Sequence, residues 1–161
     1  LNHITVDDKE QTNFINTFNH KFETKITGSE KILDLSNDND NKNKPNKKLS
    51  NEDLESLCKI KFHRIQQLYL GNNNISDLKT LINVNFMQLQ KLSLSNNVIV
   101  DISPMKDFNF PLLAELYLYN NYIKDINILA EVKFPELEKL SLFSNEISDI
   151  DVLENANFKK L

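Results

Sequence analysis

The chain has 161 residues, 40% of them hydrophobic and 26% charged, which suits a folded protein with a real core and excludes a disordered polymer. Its 19 basic and 23 acidic side chains leave a net charge of −4; residues 1–64 carry 11 of each sign, so the excess lies in residues 65–161 and offers nucleic acid no basic face. No apolar stretch approaches a membrane span, and the single cysteine, Cys58, excludes an intrachain disulfide and favours a reducing, cytoplasmic setting.

Residues 1–25 form the first expected element. Phe14, Phe18 and Phe22 fall at i, i+4 and i+8, on one face of a helix. Asp7 and Asp8 stand ahead of them as candidates to cap the helix start. The segment is expected to cover the apolar edge of residues 26–64.

Residues 26–64 read as an imperfect first copy of a repeated unit. Leu33-Asp34-Leu35-Ser36-Asn37-Asp38 matches Leu92-Ser93-Leu94-Ser95-Asn96-Asn97. Leu54, Leu57, Phe62 and Ile65 match Leu78, Leu81, Phe86 and Leu89 at a step of 24. Leu33 to Leu68 spans 35, which is 11 more than the step. The surplus is expected as an exposed Asn/Lys-rich loop at about 39–48, with Pro45 inside it. Lys42, Lys44, Lys47 and Lys48 then belong to a solvated loop rather than a nucleic-acid patch.

Residues 65–161 repeat every 24 residues, four times. Leu68, Leu92, Leu116 and Leu140 form one column, and Leu70, Leu94, Leu118 and Leu142 a second. Other columns are Asn73/Asn97/Asn121/Asn145, Ile75/Ile99/Ile123/Ile147 and Phe86/Phe110/Phe134/Phe158. The Leu-x-Leu segment alternates as a strand with one buried face. The second half spaces apolar residues by three, as in Ile99, Ile102 and Met105, which suits a short helical turn. One unit cannot bury both of its edges, so the units must stack. Leu161 falls at the first leucine of a fifth motif copy, so the polypeptide is expected to continue, with no cap at this end.

The motif L-x-x-L-x-L-x-x-N, with N-x-I-x-D-I after it, resembles the leucine-rich-repeat family. It is most similar to the short-repeat class of internalins and phosphatase-regulatory proteins, lengthened by about two residues per unit. The resemblance implies an α/β solenoid: a horseshoe with a parallel concave β-sheet and short convex helical turns. It also implies that the Asn column forms an inner hydrogen-bonded ladder. A buried amide both donates and accepts, so it can bridge successive turns. The regular Asp77, Asp101, Asp125 and Asp149 column suits caps for the adjoining turns, not a cation cluster.

No catalytic constellation stands out. Cys58 and His63 make half a zinc site at best, and with only Gly28 and Gly71 a phosphate cradle is hard to build. The chain is therefore read as a non-enzyme that needs neither cofactor nor metal. Strand positions facing away from the core are free of packing duty. They are Gln67 and Tyr69; Lys91, Ser93 and Ser95; Glu115, Tyr117 and Tyr119; Lys139, Ser141 and Phe143, with Gly71 beside them. Aromatics there suit a protein partner, because they offer large, rigid contact area. The expected function is a protein-protein interaction module bound on its concave face, with no nucleic acid or membrane partner. The alternative is the recognition arm of a larger signalling or enzymatic protein, such as a kinase, ligase or GTPase regulator.

Overall fold

The computed structural model describes residues 6–37, 47–156 and 158–161. Each Leu-x-Leu segment forms a three-residue strand: β1 (Ile32–Asp34), β2 (Gln67–Tyr69), β3 (Lys91–Ser93), β4 (Glu115–Tyr117) and β5 (Lys139–Ser141). The strands pair in parallel and in chain order, as a single sheet. The register keeps the repeat: Leu33 lies beside Leu68, Leu68 beside Leu92, Leu92 beside Leu116 and Leu116 beside Leu140. Ladder bonds run on past the strands, as in Leu70 N–H to the Ser93 carbonyl (2.8 Å) and Asn72 N–H to the Ser95 carbonyl (3.0 Å).

The chain then turns out of the sheet through a left-handed residue. Asn72, Asn96, Asn120 and Ser144 have φ of 57°, 53°, 52° and 53°. Asparagine tolerates this conformation better than most side chains do. The paired asparagines thus have two separate jobs, the first to turn and the second to form the ladder. In the ladder, Asn97 Oδ1 accepts from Ile75 N–H at 2.9 Å, and its Nδ2 donates to the carbonyls of Leu70, Leu94 and Ser95. Asn73 repeats the arrangement one unit earlier, and Asn121 and Asn145 one and two units later.

On the outer side the apolar triplets form 3-10 turns at Lys79–Asn83, Ser103–Asp107, Asn127–Ala130 and Asp151–Glu154. Each acidic column residue caps its turn two residues ahead. Asp77, Asp101, Asp125 and Asp149 accept from the N–H groups of Lys79, Ser103, Asn127 and Asp151 at 2.8–2.9 Å. The Phe86 ring lies 6.2 Å from both Phe62 and Phe110. That is wider than the ~4.8 Å between strands, so the stack fans outward and the sheet side is concave.

The first repeat departs from the others. Its outer segment is a true helix, α2 (Asn51–Cys58), started by a capping box between Ser50 and Asp53. Leu49 N–H donates to Asn73 Oδ1 at 2.8 Å, the bond that Ile75 N–H makes to Asn97. Leu49 is thus the counterpart of Ile75. The step Leu33–Leu49 is 16 against 7 for Leu68–Ile75, so nine of the 11 surplus residues precede Leu49 and the other two lengthen the outer segment. The sequence predicts a single inserted loop; the two added residues instead let a 3-10 turn relax into an α-helix. Residues 38–46 of that loop lie outside the described residues.

Helix α1 (Val6–Phe22) packs on α2, with Phe18 and Phe22 buried and Phe14 partly so. Asp7 and Asp8 lie inside its first turn rather than before it, and the Asp7 carboxylate pairs with Lys61 at 2.7 Å. Gln11 ties the helix to the first repeat, donating to the Lys59 carbonyl (2.9 Å) and accepting from Lys61 N–H (2.7 Å). Lys21 pairs with the buried Asp53. Burial alone would raise the Asp53 carboxyl, but hydrogen bonds from Lys21 and Ser50 outweigh it and lower it. At the other end Leu140, Leu142 and Ile147 are only half-buried and Ile150 is exposed.

Candidate functional site

The period-two alternation of the strands puts three rows of side chains on the concave surface. The row at the strand starts runs Ile32, Gln67, Lys91, Glu115, Lys139. The middle row runs Asp34, Tyr69, Ser93, Tyr117, Ser141. The third, two residues further on, runs Ser36, Gly71, Ser95, Tyr119, Phe143. The eleven residues expected from the sequence are all on this face, but they do different things.

Lys91, Glu115 and Lys139 form one ion-paired chain. Lys91 Nζ lies 2.8 Å from Glu115, and Lys139 Nζ lies 3.0 Å from its other oxygen. Tyr117 also donates to Glu115 at 2.7 Å, and Tyr69 donates to Gln67 at 2.8 Å. The Lys91 hydrogen bond, then those of Tyr117 and Lys139, hold the Glu115 carboxyl down to about 2. The same contacts push Lys91 and Tyr117 above their ordinary values, Glu115 being the main cause in each. The Lys91 ammonium also stands 5.6 Å from the Tyr69 ring and 5.1 Å from the Tyr117 ring. It is a strut between two tyrosines rather than a side chain reaching into solvent.

Tyr119 and Phe143 stack face to face, with centroids 4.6 Å apart and planes 5° from parallel; Tyr117 meets Tyr119 edge-on at 6.5 Å. Phe143 is 61% exposed. Ser93 and Ser95 require a correction. The alternation of their strand predicts open contact positions, yet they are 9% and 3% exposed. Tyrosines on the strands either side, ~4.8 Å away, rise above these short side chains. The serines form the floor of a hollow of about 340 Å³, with Gly71 and Ser36 beside them. Asp34, Ser36 and Asn72 also line it and were not among the expected site residues. Carrying the repeat register back across the 35-residue step to Asp34 and Ser36 could have found the first two.

Elsewhere, Cys58 is half-buried, and burial together with the nearby Glu55 charge pushes its thiol up to about 12. Cys58 and His63 border one outer hollow, and among the described residues no three potential ligands converge as a metal would need.

A stack of strand-and-turn units with one parallel sheet on its inner face defines a solenoid repeat protein. Residues 88–131 match the family model for leucine-rich repeats, in two copies, and the stacked parallel sheet is the fold of a leucine-rich-repeat protein. No curated protein matches it. Among solved structures it is similar to internalin C2 of Listeria monocytogenes, at 31% identity and a TM-score of 0.51, over 68% of this chain and 47% of that one. It is also similar to a leucine-rich-repeat protein of Leptospira interrogans, at 21% identity and a TM-score of 0.50, over 73% of this chain and 36% of that one. A third is the Arabidopsis receptor kinase HAESA, solved with a peptide hormone and a co-receptor, at 26% identity and a TM-score of 0.48, over 67% and 18%. The chain thus spans about half the length of the internalin C2 structure (47%) and less of the other two. Proteins of this family generally mediate protein-protein contacts and are typically non-catalytic.

Proposed function

We propose that this chain binds a protein partner on its concave sheet, through the surface formed by Tyr69, Tyr117, Tyr119 and Phe143. The observation that carries this reading is the stacked Tyr119–Phe143 pair. It stands on the face the core does not use, with Phe143 left 61% open to solvent. Folding gains little from an aromatic in that position, whereas binding gains a rigid surface that loses little entropy. The ion-paired Lys91–Glu115–Lys139 chain supports the reading, because it holds the flanking tyrosines in place before a partner arrives. These lysines and Glu115 then set orientation more than affinity.

The test is the double variant Tyr117→Ala with Tyr119→Ala. Partner capture by wild type and variant is compared, and the captured protein is then titrated in purified form. Tyr122→Ala, an exposed aromatic off the sheet, serves as the control. Loss in the double variant, with folding intact and the control unaffected, is the expected result. Unchanged binding by the double variant overturns the concave-face reading.

A further inference from the structure

We propose that the hollow over Ser93 and Ser95 is an anchor pocket for one neutral aromatic side chain with a hydrogen-bonding tip, a tyrosine or tryptophan of the partner. This rests on the concave-face reading and makes it specific.

The third row supplies the first reason. Tyr119 and Phe143 occupy neighbouring strands and stack at 4.6 Å, nearly parallel. That distance matches the ~4.8 Å strand spacing, so aromatics placed in this column stack on one another. The column then breaks off, because the next strand presents Ser95 and the one after it Gly71. A guest ring laid over Ser95 becomes the next rung of the stack, with one face on Tyr119. Tyr69 closes the far side. A volume of about 340 Å³ holds a ring of that size.

The floor supplies the second reason. Ser93 Oγ and Ser95 Oγ lie 3.1 Å apart. One hydroxyl donates to the other, which leaves one proton and spare lone pairs for a phenol O–H or an indole N–H. A wholly apolar ring would cover these groups without offering them a hydrogen-bond partner.

Charge supplies the third. The lining carries Asp34 at one side and Lys91 at the other. Lys91 is already bound by Glu115 and flanked by two tyrosine rings. A guest with a full charge of either sign has an opposite charge on one side and a like charge on the other. Asp34 and Lys91 already hold partners in Ser36 and Glu115, so a neutral polar tip is the better match.

The test is Ser95→Tyr. Rows three and two already carry tyrosine or phenylalanine at this kind of position, so the backbone accepts it; Ser93→Tyr is the second variant should the first fold poorly. Ser95→Tyr fills the hollow with the chain's own ring while keeping every concave aromatic and adding one. N-acetyl-L-tyrosinamide is titrated into the labelled protein, and the amide resonances of Gly71 and Ser95 are monitored, with N-acetyl-L-argininamide as comparator. Saturable shifts with the tyrosine amide, weakened about tenfold or more by Ser95→Tyr and much smaller with the arginine amide, are expected. No shifts with the tyrosine amide, or equal shifts with the arginine amide, overturn the proposal. Partner binding then separates the two readings. Loss in both Ser95→Tyr and the Tyr117/Tyr119 double variant supports the pocket. Loss in the double variant alone overturns the pocket and leaves the concave face standing. Retention in both overturns the concave face as well.

Discussion

Replacing Asn97 with alanine tests the physical account of the solenoid most directly. The Asn97 side chain is 5% exposed and makes four hydrogen bonds. Its loss does not strand all four partners. The Leu70 carbonyl keeps Asn73 Nδ2 at 3.0 Å, the Leu94 carbonyl keeps Asn121 Nδ2 at 3.0 Å, and the Ser95 carbonyl keeps Asn72 N–H at 3.0 Å. Ile75 N–H alone loses its acceptor, and Ile75 is fully buried. One orphaned buried donor costs about 1–3 kcal/mol, and the weakened bonds at the shared carbonyls bring the expected loss to about 3 kcal/mol. That is a large share of the ~5–15 kcal/mol that holds a domain folded. Urea denaturation monitored by circular dichroism reads the global loss. Hydrogen exchange reads the local one, since the Ile75 amide should exchange far faster. Asn145→Ala removes the same kind of bond next to the half-buried edge, where water can replace it, and should cost only about 1 kcal/mol. If Asn97→Ala stays within about 0.5 kcal/mol of wild type and the Ile75 amide remains protected, the ladder is not what joins the turns.

Two further outcomes rest on single residues. Ser144 holds the left-handed conformation that asparagine occupies at 72, 96 and 120. Ser144→Asn should therefore raise stability by about 0.5 kcal/mol, seen as a small rise in melting temperature; a fall would show that the side chain at 144 matters for some other reason. The Glu115 carboxyl sits at about 2 in the fold against an ordinary 4.5. A lowered carboxylate stabilises the fold above its ordinary value, and the contribution fades as pH falls from about 4.5 towards about 2. Solvent reaches this group, so its worth is about 1 kcal/mol at neutral pH. Glu115→Gln should be less stable than wild type near neutrality and lose less stability over the acid limb. Parallel stability-pH curves for the two proteins would contradict the assignment.

Much of the fold was legible in the amino-acid order. The in-phase columns placed the strand leucines, the ladder asparagines and the capping aspartates, because each of these meets its own backbone or the same residue one unit away. Repetition makes such contacts local in the repeat even when they are distant in the chain. Two features of the repeat were harder to see. The surplus residues of the first repeat formed one compositional run, yet their division into nine and two was set by which N–H meets Asn73. That the residue just before each ladder asparagine turns the chain left-handed became visible only in the backbone angles.

The candidate site was legible as a surface but not as a relief. Every residue expected on the concave face is there, and the alternation of each strand was enough to say so. Whether a residue stands proud or lies at the bottom of a hollow depends on its neighbours in the same row, which belong to other repeats. Ser93 and Ser95 are buried because Tyr69 precedes them by one strand and Tyr117 and Tyr119 come one strand after. Lys91 points at its neighbours because two tyrosines and Glu115 flank it within reach. A periodic sequence determines the average unit, its core and its joints. The differences between units become a shape only when the strands lie side by side about 4.8 Å apart and tall side chains overhang short ones.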